Sequence, residues 1–95
     1  MFSQVIRGRV DDVDGYRRQI DRWRDELMGE AKGFLGSTGG LTPDGRFITV
    51  ARFDSEELAR QNSESDRQSQ WWAETEKMVS DVTFTDLTDV EAYKG

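Results

Sequence analysis

Six segments with regular apolar spacing divide the chain, and their order leaves few folds open. Four of them are predicted strands, whereas the second and the fifth follow the helical period of about 3.6 residues. The resulting order is strand, helix, strand, strand, helix, strand. Because crossover connections are right-handed, this order predicts a four-stranded antiparallel sheet with both helices on one face, the ferredoxin-like α+β fold.

The first strand and the first helix have the clearest patterns. Apolar and polar side chains alternate over Phe2–Val10, which predicts a strand. Asp11, Asp12 and Asp14 follow, and carboxylates favour a helix start because they cap free backbone amides. The predicted helix then carries one apolar stripe, at spacings of three and four residues: Val13, Tyr16, Ile20, Trp23 and Leu27.

A glycine-rich stretch followed by turn residues predicts a hairpin. Its strands are Phe34–Leu41, which is weakened by glycine, and Arg46–Phe53, which is rich in Phe, Ile, Thr and Val. Between them lies Thr-Pro-Asp-Gly, where proline presets a backbone angle and glycine ends the turn. A phosphate-binding loop is disfavoured for these glycines, because neither a Gly-Lys-Ser/Thr sequence nor a helix follows.

The second helical segment contains an interruption. Asp54 and Glu57 have the spacing of a capping box at its start. The pattern breaks over residues 62–65, so we expect Ser65 or Asp66 to cap a second helical piece. This piece is predicted to reach about Val79, and one broad face of it carries apolar and aromatic residues: Trp71, Trp72, Thr75, Met78 and Val79.

The chain ends in a last predicted strand over residues 82–87 and a tail over residues 88–95. Neither an internal repeat nor a linker interrupts the order, so residues 1–95 are predicted to form a single domain.

The composition excludes several classes of partner and site. With a net charge of −6 the chain lacks the basic surface that nucleic acid or an anionic membrane requires. It contains neither Cys nor His, which removes thiolate chemistry and the commonest zinc and haem ligands. No run approaches the ~20 apolar residues of a membrane span, and signal-peptide features are absent. We therefore expect a cytoplasmic protein with no metal, no nucleic-acid partner and no membrane partner.

Apolar residues of both parities occur within the predicted strands. Val5 stands beside Ile6, and Phe47 stands beside Ile48. An antiparallel sheet with one solvated face alternates more cleanly than this. We therefore predict that a second copy of the chain covers the face that the helices leave open, which makes the protein a homodimer.

Four motifs in the second half of the chain occur together. The third strand ends in aromatic-Asp-Ser-Glu, a short Glu-Glu-Leu-Ala helix follows, the helix breaks at Asn62-Ser63, and the last strand begins with Val-Thr-Phe. They lie in the stretches RFITVARFDSEELARQNSESDRQSQWW and VTFTDLTDV. With this combination the chain resembles the dimeric α/β-barrel superfamily, in particular its antibiotic biosynthesis monooxygenase-like branch, over nearly its whole length.

The resemblance implies both an assembly and a type of ligand. In that family two ferredoxin-like subunits pack sheet to sheet into a barrel, and each can hold a small, often aromatic molecule between sheet and helices. Some members oxygenate anthrone-type polyketides without metal or flavin, and others degrade haem. Haem degradation is disfavoured here because the chain has no histidine, and Asn62, its only asparagine, lies in the helix break. No cofactor is expected.

Five side chains are candidates for ligand contacts, because amide, aromatic, phenol and guanidinium groups can orient an aromatic substrate and stabilise its enolate. They are Asn62, Trp71, Trp72, Tyr16 and Arg52. Each has a structural alternative. Asn62 can end a helix, Tyr16 and the tryptophans can fill the core, and Arg52 can form ion pairs. Since successive helix positions differ by about 100°, Trp71 and Trp72 cannot both point at the sheet.

Two functional hypotheses remain open. In the first, the protein is a homodimer that binds a small aromatic or polyketide-like molecule and oxygenates it without a cofactor. In the second, the same fold is a non-catalytic ligand carrier or interaction module. The RNA-recognition fold shares the order of elements, but the charge has the wrong sign and its basic-aromatic run is missing. An open space beneath Trp71 and Trp72 would favour ligand binding.

Overall fold

The computed structural model describes residues 1–93 and Gly95, and it confirms the ferredoxin-like α+β architecture. The strands form one antiparallel sheet in the order β2-β3-β1-β4. Their bounds are β1 Phe2–Val10, β2 Phe34–Leu41, β3 Arg46–Phe53 and β4 Val79–Leu87. The first three agree with the predicted strands, whereas β4 begins three residues earlier than predicted.

The helices connect these strands and lie on one face of the sheet. Helix α1 is followed by a π-helical turn and a 3₁₀ turn, and the second helical segment is broken in two, as its interrupted pattern predicts. The bounds are α1 Val13–Arg22, the π-helical turn Trp23–Leu27, the 3₁₀ turn Met28–Glu30, α2 Glu56–Glu64, α3 Asp66–Thr75 and a final 3₁₀ turn Glu76–Met78. No helix of the described chain is long and apolar enough to cross a bilayer.

Side-chain caps begin the helices of the second segment. The Ser65 hydroxyl accepts a hydrogen bond from the Gln68 amide at 3.2 Å, which confirms the predicted break. At the start of α2 the predicted capping residue is wrong by one position. Ser55 accepts from the Leu58 amide at 3.2 Å, whereas Asp54 still belongs to the preceding connection, where its amide donates to the Gly33 carbonyl at 2.8 Å.

The early start of β4 depends on a bulge. Its register against β1 shifts between Arg7 and Arg9, and Asp81 has a φ of 52°, a conformation that side chains other than glycine rarely adopt. The extra residue lets Val79 and Val82, three positions apart, both pack against the same buried cluster. An alternating pattern therefore could not reveal the first three residues of this strand.

The helix-covered face of the sheet carries the core, which has two aromatic ends. At one end Tyr16 packs on Phe47, with ring centroids 5.2 Å apart, and Val79 completes the buried cluster. At the other end Phe2 and Phe53 are buried opposite each other on β1 and β3. The space between these two ends holds the candidate site.

Candidate ligand cavity

A cavity of about 600 Å³ lies between the covered face of the sheet and the helices. This volume falls in the range of about 300–1,000 Å³ that small-molecule sites occupy. One side of it has an aromatic wall: Phe2, Trp23, Phe34, Phe53 and Trp71. Trp71 therefore borders the space beneath α3 without filling it.

Small residues on the covered face of the sheet leave this space open. Ser37 is paired with Ala51, and Gly39 is paired with Thr49, across the β2–β3 ladder. Each of these four residues lines the cavity. A Cβ atom at Gly39 would approach the Thr49 hydroxyl to 2.7 Å, so this glycine is required where the strands come together.

Edge-to-face stacking holds the aromatic wall. The ring centroids of Trp23 and Phe34 are 5.2 Å apart at 73°, and those of Phe34 and Phe53 are 5.5 Å apart at 67°. Trp23 also contacts Trp71, with centroids 6.5 Å apart. Such pairs favour defined ring orientations, so the wall offers fixed faces and edges to a flat ligand.

Both indole N–H groups of the wall are bonded within the protein. Trp71 Nε1 donates to the Gln19 carbonyl at 2.7 Å, and Trp23 Nε1 donates to Gln68 Oε1 at 2.8 Å. These bonds tie α3 to α1 and to the π-helical turn. The rings therefore have their orientations set before any ligand binds.

Tyr16 supplies a phenol at the opposite end of the cavity from this wall. Its side chain is buried, and burial raises the pKa of the phenol above its ordinary value, while a hydrogen bond with Thr49 offsets part of that rise. The phenol is consequently neutral at pH 7. In that form it can donate a hydrogen bond to a ligand oxygen.

Polar groups surround the remaining cavity. Gln4 Nε2 on β1 donates to Asp86 Oδ1 on β4 at 3.0 Å, and both residues line the space. Glu56 and Arg60 on α2 form an exposed ion pair at 3.3 Å. Arg17 on α1 forms no ion pair among the residues that the structure describes, so its guanidinium can meet an anionic ligand group.

Three of the five predicted site residues come together at this cavity. Asn62, Trp71 and Tyr16 line it from α2, α3 and α1. Trp72 does not line it: its ring packs on Phe84 at the β4 edge, with centroids 5.6 Å apart and an angle of 71°. The helix turn of about 100° between neighbours separates the two tryptophans, as the geometry of a helix requires.

Arg52 is the second predicted site residue outside the cavity. Its neighbour Phe53 is buried under the helices, so Arg52 lies on the opposite face of β3, where strand alternation places it. Its guanidinium lies close above Gly36 of β2. Arg52 therefore does not line this cavity with Asn62 and Trp71, and a ligand contact of Arg52 stays a prediction.

Trp23 and Gln68 are among the lining residues that were not predicted site residues. The apolar stripe of the first helix predicts that Trp23 faces the core, and no sequence motif marks Gln68. A helical signal for Gln68 did exist, because it precedes Trp71 by three positions and therefore shares its face. Among the described residues no group of three or more metal-ligating side chains occurs.

Comparison with known proteins identifies the fold. No family model matches the chain, and no curated protein matches it. Among solved structures, SnoaB, a cofactor-independent oxygenase from Streptomyces nogalater, is 12% identical with a TM-score of 0.84, over 96% of this chain and 94% of that chain. A candidate antibiotic biosynthesis monooxygenase from Caulobacter crescentus CB15 is 12% identical with a TM-score of 0.83, over 95% of this chain and 90% of that chain.

A third similar structure is named without an activity. This conserved protein from Methanosarcina mazei Go1 is 10% identical with a TM-score of 0.79, over 90% of this chain and 89% of that chain. At such identities the likeness shows the fold, and one fold can carry several functions. The chain has the fold of the antibiotic biosynthesis monooxygenase-like proteins, which confirms the resemblance seen in its motifs.

Proposed function

We propose that the protein binds a flat aromatic small molecule in this cavity and oxygenates it without a cofactor. The observation that carries the proposal is the aromatic-walled cavity of about 600 Å³ that remains beneath Trp71. The fold shared with SnoaB, which is described as a cofactor-independent oxygenase, supports the type of reaction.

The groups around the cavity suit a substrate that ionises to an enolate. The wall holds the rings, the neutral Tyr16 phenol and the Asn62 amide can donate to the enolate oxygen, and Arg17 can balance its charge. The deprotonated carbon then gives an electron to O₂ and combines with the reduced oxygen. For an anthrone, one O₂ is consumed, the ring CH₂ becomes C=O, and one water is released.

The proposed assembly is a homodimer in which two sheets pack face to face. Its support is the face of the sheet that the helices leave open, where Val5 pairs with Val50 and where Ile48 and Leu87 are each at least 40% exposed. A second copy would remove this apolar area from water.

Oxygen consumption with anthrone tests the proposed activity. We expect the protein to accelerate O₂ uptake and anthraquinone formation, and we expect Trp71→Phe and Asn62→Ala each to lower the rate at least about tenfold, because each changes the groups that orient the substrate. The matched control is Trp72→Phe, the same substitution one residue further along α3 and outside the cavity, which should keep the rate within about twofold.

Equal losses in the two tryptophan variants would show that the tryptophans act through stability alone. The absence of any acceleration by the unmodified protein would contradict the oxygenase itself. Circular dichroism of each variant establishes that it is folded before its rate is compared.

The second candidate function is a non-catalytic carrier of the same ligand class. It is favoured by the hydrogen bonds of Trp23 and Trp71, whose indole N–H groups are already held by protein acceptors and do not face a substrate oxygen. If the protein is a carrier, anthrone should bind and quench the fluorescence of these tryptophans. The rate of O₂ uptake should then be the same with and without the protein. The two measurements together therefore separate the candidates.

A further inference from the structure

Gln68 stands between two cavities. It lies on α3 one helical turn before Trp71 and lines the main cavity. It also lines a smaller cavity of about 360 Å³ beside the break between α2 and α3. Only one other residue, Asn62, borders both spaces among the residues described. The side-chain amides of Gln68 and Asn62 therefore lie at the boundary between the main cavity and the smaller one.

The orientation of the Gln68 amide follows from its partner. An indole N–H can only donate, so the atom 2.8 Å from Trp23 Nε1 must be the amide oxygen of Gln68. The ambiguity between oxygen and nitrogen that usually affects a glutamine side chain is thereby removed. The NH₂ group, with two donors, forms the free end.

That free end has no acceptor in the protein. Within the described residues Gln68 Nε2 makes no hydrogen bond, although the side chain is half-buried beside the aromatic wall. A donor that loses water without gaining an acceptor costs free energy, so a bound ligand is favoured if it brings an oxygen to this point. Asn62 differs from Gln68. Among the described residues its side chain forms no hydrogen bond that fixes the amide, so it can present either its oxygen or its NH₂ group to a ligand.

We infer that Gln68 determines specificity by donating a hydrogen bond from Nε2 to a carbonyl, phenolate or enolate oxygen of the aromatic ligand. This inference rests on the proposed ligand site and names the chemistry that the site selects. Trp23 acts as a positioning residue, because its hydrogen bond to Oε1 of Gln68 also fixes the orientation of Nε2 of Gln68. An aromatic hydrocarbon of the same shape would leave the donor unsatisfied and would bind less tightly.

The test compares anthrone with dihydroanthracene, which has the same three rings and lacks the ketone oxygen. Binding is measured anaerobically by quenching of tryptophan fluorescence. The unmodified protein is expected to bind anthrone about tenfold more tightly than dihydroanthracene, the factor that one satisfied hydrogen bond provides. Gln68→Glu keeps an acceptor for Trp23 and replaces the donor by an oxygen, so it should abolish this preference, which is measured as the ratio of the two dissociation constants in the same variant.

Two further variants control for charge and for folding. Gln70→Glu makes the same change at an exposed position of the same helix outside both cavities, and the preference should persist. Trp23→Phe removes the indole donor and frees the amide to rotate, so the preference should fall to about threefold. This variant tests the inference even if Gln68→Glu does not fold.

The outcomes separate the inference from the proposed function. If the unmodified protein binds both ligands equally, or if Gln68→Glu weakens both alike, the role of Gln68 is overturned while aromatic binding stands. A preference that survives in Gln68→Glu or is unchanged in Trp23→Phe also overturns it. If neither ligand binds the unmodified protein, the inference and the proposed aromatic site fail together.

Discussion

The two faces of the sheet carry similar apolar side chains in opposite surroundings. On β3 the neighbours Phe47 and Ile48 are 3% and 43% exposed, because helices cover only one face. The covered face carries the buried aromatic residues and, between them, small residues that leave a cavity of about 600 Å³. The open face has aliphatic residues beside Arg7 and Arg52, and two of them, Ile48 and Leu87, are at least 40% exposed. One face is therefore suited to a ligand and the other to a protein partner.

Truncating the neighbours on β3 gives the largest expected contrast between the faces. Phe47→Ala should lower the free energy of unfolding by about 3–5 kcal/mol, because it removes a buried ring that packs on Tyr16. Ile48→Ala should cost about 1 kcal/mol or less in the isolated chain, since this side chain is already partly in water. Urea unfolding at low protein concentration measures both, and equal costs would contradict the difference in burial.

A charge on the open face tests the proposed dimer. Ile48→Asp should raise the dimer dissociation constant about 100-fold, about 2.7 kcal/mol, because it places a carboxylate inside the sheet-to-sheet contact. Val13→Asp is the matched control, since Val13 is 42% exposed on α1 and lies away from that face. Light scattering at micromolar concentration reads the oligomeric state. A lasting 10.9 kDa monomer of the unmodified protein would refute the dimer.

The smallest expected effect is a dependence of the free energy of unfolding on alkaline pH, which arises from the covered face alone. Because burial raises the pKa of Tyr16, the unfolded chain loses this proton at lower pH than the folded protein does. The stability contributed by the neutral phenol is complete below the unfolded pKa of about 10 and is lost as pH rises through the folded pKa. Tyr16→Phe should flatten this fall, as measured by urea unfolding at a series of alkaline pH values.

The matched control for Tyr16 is the other tyrosine of the chain. Tyr93 is 86% exposed, and its pKa is raised mainly by a hydrogen bond to Glu91 that solvent screens. Tyr93→Phe should therefore leave the alkaline fall in place. If the two substitutions flatten it equally, burial of Tyr16 is not its cause.

The fold was largely readable from local patterns, whereas the site was readable only in part. The bounds of β1, β2 and β3 follow from alternation and turn residues, but the first residues of β4 do not, because the bulge at Asp81 breaks the alternation. Strand parity also contained the information that Arg52 lies opposite the buried Phe53. No such local rule chose between Trp71 and Trp72, since the rotation of a helix about its axis is set by its packing partners.

The sequence by itself determined the order of elements, the helix break and the apolar character of both sheet faces, because these depend on residues close together in the chain. The tertiary structure decided where space remains. The cavity exists because small residues of β2 and β3 face the gap between two aromatic ends, and its walls come from segments distant in sequence. The direction of the Gln68 amide likewise depends on Trp23, 45 positions away. Volume and hydrogen-bond direction are products of packing, which no local pattern encodes.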